Sequence, residues 1–375
     1  MEKVRLGVLG GGIMGAGIAA AFRRKDVPVV VYDIAPGGRE MVERNLLREE
    51  VSGGAKLHGQ VEEVMPLNQP VLALPASNQE STLSVEFTDQ LSDLSGCNIV
   101  IESVVEKIDV KQELLKAVED VVTSDCLIGS NTSTIPISRL ASVLQRPDRF
   151  CGIHFLHPVR NRKLTEIVCG EQTAPVTLEQ ADAVLKSVDQ TPLWVKDCPG
   201  FVVNRLLQPY LNEALILLQE GVDMDRIDNA AVNFGMAWGP VKTMDEIGID
   251  TTFNAGRVLY EAFPDRITVS PIIVSLYKSK CLGVKSGQGF RVWDDSAPNP
   301  KAQKWKMWVE QDNNPMPDKE IVERLIRPMW EEGRRILADG IVESAEKIRI
   351  AACDGLAFPA KYGYLFELPK FQLEQ

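Results

Sequence analysis

Residues 4–33 read VRLGVLGGGIMGAGIAAAFRRKDVPVVVYD, and the reading of this stretch decides the fold class. Two short apolar runs flank a longer segment that reads as a helix, which makes a strand, a helix and a second strand. Gly10-x-Gly12-x-x-Gly15 stands directly after the first strand and opens the helix. Small residues are needed there for three reasons. The strand must turn sharply, backbone amides must approach a pyrophosphate, and the helix must pack closely on the sheet. The helix N-terminus, at Ile13 and Met14, then turns its positive dipole end toward the phosphates. Asp33 closes the second strand about 20 residues beyond the loop, where a carboxylate accepts hydrogen bonds from a ribose diol and repels a 2′-phosphate. Gly10, Gly12, Ile13, Met14, Gly15 and Asp33 are therefore the expected cofactor-binding set, and the expected cofactor is NAD.

Outward from this unit the same alternation continues to about Asp197. LSVEFTD, NIVIES, CLIGSNTS, FCGIHF, TEIVCG and PLWVKD read as further strands separated by helical patterns. Strands alternating with helices make a largely parallel, doubly wound sheet. From Val51 to Thr82, Gly53-Gly54, Pro66, Pro70 and Pro75 interrupt every period, and helix and loop are expected. After Cys198-Pro199-Gly200 the strand pattern stops and an all-helical part begins. It repeats itself: VNRLLQPYLNEALILLQEGV (203–222) aligns with VERLIRPMWEEGRRILADGI (322–341), so that Arg205, Pro209, Glu213 and Gly221 recur as Arg324, Pro328, Glu332 and Gly340. Such a repeat marks duplication of one helical unit. The expected organisation is an α/β domain over 1–197, a first helical copy over 198–295, a Pro/Asn-rich linker over 296–318 and a second helical copy over 319–375.

Composition narrows the function classes. With 375 residues, 45% apolar and 25% charged, the chain has the make-up of a globular protein with several cores. Its net charge of −11 argues against a nucleic-acid partner, and an anionic substrate would need a local basic patch. Seven scattered cysteines, never spaced as CxxC, argue against a disulfide framework or a zinc site and point to a reducing compartment. Met1 runs straight into a strand pattern and no apolar run reaches the length of a membrane span. A cytoplasmic location, with no membrane and no metal, is expected.

Only three histidines are present, His58, His154 and His157, so an imidazole base comes from a short list. His154 and His157 lie in FCGIHFLHPV, at the end of a late strand, where doubly wound folds place ligands. On position alone either is equally a satisfied polar group at a strand end. His58 reads as a surface residue.

The ordered set GGGIMGAGIA, YD, IESVVE, SNTS, HFLHP, LTEIV and CPGFVVNR resembles the L-3-hydroxyacyl-CoA dehydrogenases, and the helical repeat resembles the dehydrogenase portion of multifunctional fatty-acid oxidation proteins. The resemblance implies a Rossmann-type domain followed by a duplicated helical dehydrogenase domain, and NAD-dependent oxidation of (S)-3-hydroxyacyl-CoA to 3-oxoacyl-CoA, as in β-oxidation and related lipid metabolism. It implies that His154 is the catalytic base, that Glu166 orients it, and that Ser133 and Asn204 hold the substrate oxygens. Glu106 and Lys111 fall where the family places residues beside the nicotinamide and its ribose. A lysine that contacts CoA would fall within residues 51–82. Physical chemistry agrees with these roles: a secondary alcohol must lose its hydroxyl proton as hydride leaves the same carbon, and imidazole has a pKa near working pH.

His157 stands where the family usually has asparagine, which puts substrate range and pH response in question. Glu323 of the second copy stands where the first has Asn204, so that copy reads as structural. A gulonate-type sugar-acid dehydrogenase shares the glycine loop and SNTS, but its HP-x-NP pattern is absent. A non-catalytic NAD-binding protein would have no use for Ser133, His154, Glu166 and Asn204 together. No hydratase-like segment is evident, so a separate enoyl-CoA hydratase and thiolase are the expected functional partners. Single-copy relatives pair through their helical domains, so packing of copy against copy within one chain predicts a monomer. Ile321, Leu325, Met329 and Trp330 should then be buried.

Overall fold

The computed structural model describes residues 4–51, 85–294, 299–310 and 315–373. Apart from Val51, the segment containing His58 and the expected CoA-contacting lysine lies outside the described residues. The described chain forms two compact units, the first ending at Cys198 and the second beginning at Pro199.

In the first unit all eight apolar runs form strands: β1 (Leu6–Leu9), β2 (Val29–Tyr32), β3 (Glu86–Thr88), β4 (Ile99–Glu102), β5 (Leu127–Ser130), β6 (Phe150–Phe155), β7 (Leu164–Cys169) and β8 (Thr191–Lys196). They make one sheet in the order β3-β2-β1-β4-β5-β6-β7-β8. The chain winds outward from β1 to β3, returns, and resumes at β4. The carboxyl ends of β1 and β4 thus flank a topological switch point, where open α/β sheets bind ligands. Every neighbouring pair is parallel except β6 and β7.

Strands β1, β4 and β5 are buried at every residue. Continuous apolar runs are what a parallel sheet covered on both faces requires. The helices of this unit are α1 (Ile13–Arg23), α2 (Gly38–Val51), α3 (Ile108–Glu119), α4 (Ile137–Ala141) and α5 (Pro175–Ser187). Helix α1 buries everything from Gly15 to Phe22. Ile18 and Phe22 join Leu6, Val8, Val31, Ile101 and Ile153 in one apolar cluster.

The second unit holds α6 (Val203–Gln219), α7 (Met224–Phe234), α8 (Pro240–Ile247), α9 (Ile249–Ala262), α10 (Pro271–Lys278), α11 (Asp318–Ala338) and α12 (Ala345–Ile350). Local chemistry sets several ends. Asp223 accepts hydrogen bonds from the amides of Asp225 and Arg226 to cap α7, and Gly235, with φ of 119°, closes it. Ser270 caps α10, and Pro271 occupies its first turn. The Lys285–Phe290 segment is a tight turn clamped by Asp245, a wholly buried carboxylate that accepts the amides of Phe290 and Arg291 and the indole N–H of Trp293. The Pro/Asn-rich stretch between the copies is more than a tether. Lys304–Trp308 forms a short 3-10 helix, and Trp305 is buried edge-on against Phe290 at 5.4 Å.

The repeated helices α6 and α11 pack against each other, and their repeated residues cross over. Arg205 donates to Glu332 at 2.8 Å and to Asp339 at 2.9 Å. Arg324 donates to Glu213 at 2.7 Å and to Glu220 at 3.0 Å. Each copy's arginine thus meets the other copy's acids, so exchanging the copies maps one set of ion pairs onto the other. That is the signature of a self-complementary two-fold interface, here formed within one chain. Ile321, Leu325 and Met329 are fully buried, while Trp330 is half-buried beside Phe371. No described helix is long and apolar enough to cross a membrane.

The two crossings differ in depth. Arg205 is 1% exposed and the Arg324 side chain 26%. Arg205→Met takes away the fully buried partner of Glu332, leaving it only the more exposed Arg335 at 3.3 Å and Arg266 at 3.5 Å, and should cost about 3 kcal/mol, the lower end for breaking a buried pair. Arg324→Met should cost about 1 kcal/mol or less, in the range of exposed pairs. Urea unfolding followed by tryptophan fluorescence reads this unit, which holds five of the six tryptophans. Equal losses from the two substitutions would contradict the reading.

Candidate active site

The glycine loop behaves residue by residue as its sequence requires. Gly10 has φ of +100°, a left-handed conformation, and a Cβ there would lie 2.6 Å from the Ser103 carbonyl oxygen. A Cβ on Gly15 would lie 1.9 Å from the Gly10 carbonyl oxygen, so the close approach of α1 to the loop admits nothing larger. Gly12 is different: a Cβ there would meet no atom within 4 Å. The protein's own packing does not demand glycine at that position, whereas a phosphate laid against the backbone would. Gly12 also caps α1 with no side-chain bond and no acidic residue follows in the first turn, so no carboxylate competes for the dipole end at Ile13 and Met14. The donor set fits a pyrophosphate.

Asp33 lies at the end of β2. It accepts the Gly11 amide at 2.6 Å and the Ala35 amide at 2.8 Å. Two N–H groups fix the carboxylate beside the loop, and its remaining lone pairs suit a ribose diol.

A buried carboxylate that the sequence reading passed over organises the next strand ends. Glu102, the last residue of β4 and wholly buried, accepts Lys111 Nζ at 2.6 Å, the Ser130 hydroxyl at 2.5 Å and the Val104 amide at 2.7 Å. Lys111, on α3 and 1% exposed, also reaches Glu106 at 3.2 Å. Glu106 accepts the hydroxyls of Thr132 at 2.6 Å and Thr134 at 3.0 Å and the Ser133 amide at 3.2 Å. Desolvation pushes the Glu106 pKa up, but the Lys111 ammonium and the two threonine hydroxyls outweigh it and hold the group below its ordinary value. An ionised Glu106 thus anchors the loop that carries Ser133. Asn131 of the same loop accepts the Phe155 amide at 2.8 Å, tying the loop to β6 next to His154. The signals were present as the two acids of IESVVE and as SNTS, but nothing in their spacing reveals that they meet.

His154 and Glu166 are directly opposite residues on the antiparallel pair β6 and β7. Cross-strand partners stand with their side chains on the same face. His154 Nδ1 lies 2.7 Å from Glu166 Oε2, with the carboxylate fully buried and the imidazole 6% exposed. A carboxylate only accepts, so Nδ1 carries the proton and Nε2 is left as the acceptor nitrogen. His157 lies beyond the end of β6 and is exposed. Asn204 occupies the first turn of α6, in the second unit. No group of three or more metal-ligating side chains occurs among the described residues.

Comparison with known proteins follows the two units. The model of the 3-hydroxyacyl-CoA dehydrogenase NAD binding domain matches residues 5–198, and that of the 3-hydroxyacyl-CoA dehydrogenase C-terminal domain matches residues 200–293. The fatty acid oxidation complex subunit alpha of Pseudomonas aeruginosa is 36% identical over 361 residues, 94% of this chain and 48% of that protein. The chain therefore spans about half the length of the curated relatives it matches. The solved (S)-3-hydroxybutyryl-CoA dehydrogenase of Ralstonia eutropha is 30% identical, with a TM-score of 0.65 over 78% of this chain and 99% of that one. The 3-hydroxybutyryl-CoA dehydrogenase of Escherichia coli shares the fold, with a TM-score of 0.74 over 96% and 90% of the chains at 23% identity.

The placement of Asp33 generates a test of the cofactor site. NAD should be preferred over NADP by at least about tenfold in kcat/KM, because repulsion between Asp33 and a 2′-phosphate should exceed ~1.4 kcal/mol, the value of one decade. Asp33→Ser should narrow the gap. Equal steady-state rates with both cofactors in the unsubstituted protein would remove Asp33 from the site.

Proposed function

Since the chain belongs to the 3-hydroxyacyl-CoA dehydrogenase family, we propose that it oxidises the 3-hydroxyl group of an (S)-3-hydroxyacyl-CoA to the 3-oxo thioester, with His154 as the base. The observation that carries this reading is the buried pairing of His154 Nδ1 with Glu166. The pairing leaves Nε2 to take the hydroxyl proton, and it stabilises the imidazolium that forms. Bound NAD supplies the acceptor for the hydride that leaves C3. The protein's part is to take the proton, to polarise the oxygen that becomes a carbonyl, and to exclude water.

Ser133 and Asn204 are assigned to the substrate oxygens as hydroxyl and amide donors. Glu106 and Lys111 are assigned to the nicotinamide end of the cofactor site, where their hydrogen bonds also hold the Ser133 loop. Gly10, Gly12, Ile13, Met14, Gly15 and Asp33 are assigned to the rest of the dinucleotide. The same reading sets the reaction in fatty-acid β-oxidation, served by a separate hydratase and thiolase, and in the cytoplasm, whose reducing conditions suit seven cysteines that stand as thiols.

His154→Ala should lower kcat by about two to four orders of magnitude while NADH binding persists. Glu166→Gln should also be damaging, and the double variant should be far from additive. Acetoacetyl-CoA reduction by NADH is the assay. A loss of this size from His157→Ala, with His154→Ala nearly active, would overturn the assignment of the base.

We also propose that the chain acts as a monomer, supported by the reciprocal ion pairs that α6 already makes with α11. Sedimentation should give the mass of one chain at micromolar concentration. A tight dimer built through α6 would refute this.

A further inference from the structure

Within the helical unit a cavity of about 190 Å³ lies between α6, α9, α10 and the segment leading into α10. Leu211, Leu215, Phe253, Ile273 and Val274 give it apolar walls, and Gly256 leaves one wall without a side chain. Tyr260 and Val269 also line it and remain 42% and 47% exposed. Apolar surface left in water beside an apolar cavity marks a place where a ligand enters. An engineered apolar cavity of about 150 Å³ accommodates benzene, so this one has room for roughly six carbons.

Its position on α6 indicates the ligand. Gln208, Leu211, Asn212 and Leu215 line the cavity and stand four, seven, eight and eleven residues after Asn204. These spacings put them on the same stripe of the helix as Asn204, beginning about 6 Å further along the axis. The coenzyme arm of a thioester ends in phosphates, which need cations and water. Among the described residues the only cation in the lining is Arg257, which faces Glu261 at 3.9 Å, an ion pair on the same helix. The other end of the substrate is a hydrocarbon chain, whose chemistry matches the walls.

We propose that this cavity receives the distal methylenes of the acyl chain, and that Gly256 sets how long a chain is accepted. The inference rests on the dehydrogenase reading above, with Asn204 at the substrate's oxygen. Each methylene buried contributes about fourfold in kcat/KM, the equivalent of ~0.8 kcal/mol. Activity should therefore climb from four-carbon substrates to those of about eight to ten carbons, and stop climbing once the cavity is full.

A side chain can be introduced to fill the space. A Cβ on Gly256 would lie 3.4 Å from Gln208 Oε1, an ordinary contact, and no positive φ stands in its way. Helix propensity also favours the change. The experiment measures kcat/KM for 3-hydroxyacyl-CoA thioesters of four to twelve carbons with the full chain, Gly256→Leu and the smaller Gly256→Ala. Gly256→Leu should reduce the ratio of eight-carbon to four-carbon kcat/KM at least about tenfold, the worth of nearly two methylenes. Gly256→Ala should reduce it less. A ratio unchanged by both substitutions, or a rate independent of chain length in the unsubstituted protein, would overturn the proposal while leaving the dehydrogenase reading intact. Failure to oxidise any of these thioesters would overturn the dehydrogenase reading itself.

Discussion

A single buried carboxylate holds the carboxyl edge of the sheet in order. Glu102 takes hydrogen bonds from the end of its own strand, from a lysine on the helix that follows and from a serine on the neighbouring strand. A charge so far from water is tolerable only when every partner is in place. The ends of β4 and β5 and the first turns of α3 are therefore fixed together, and Lys111 passes the constraint on to Glu106 and the loop of Ser133. From that loop Asn131 reaches β6 beside His154. The position of the imidazole is thus tied, through these polar contacts and the short loop between them, to a residue three strands from Glu166.

Reversal of one strand supplies the other half of that arrangement. Were β7 parallel to β6, its residues would be slanted in register and its approach to β6 would come from the opposite end. Running antiparallel, it puts Glu166 directly across from His154. The two side chains then need no loop to bring them together, and the rigidity of a hydrogen-bonded ladder becomes the rigidity of the pair.

Much of this was legible in the sequence, because its signals are local. Eight apolar runs became eight strands, and Gly10 and Gly15 stand where a turn and a close helix approach admit nothing larger, as their spacing announces. The resemblance picked out His154 and Glu166, which prove to be neighbours. What stayed hidden depends on contacts distant in sequence. An apolar hexamer does not reveal strand direction, so the antiparallel β7 was invisible in TEIVCG. Glu102, Lys111 and Ser130 sit in three separate stretches of the sequence and meet only when the sheet forms. The repeat showed which arginines and glutamates recur, but not that each would choose its partner from the other copy. Trp305 was concealed by the prolines and asparagines around it, and the apolar cavity at Gly256 exists only once α6, α9 and α10 are packed.

The crossing of α6 and α11 has a consequence for how such a molecule can change. In a dimer of identical subunits, one substitution strikes both sides of the interface at once, so neither side can depart from the other. Here the two sides are encoded separately. One has sunk its arginine completely, while the other keeps a quarter of the Arg324 side chain in water. One carries Asn204 and the other Glu323 at the matching place. Joining the two halves in a single chain preserves the shape of the symmetric contact while releasing its members from the obligation to be alike.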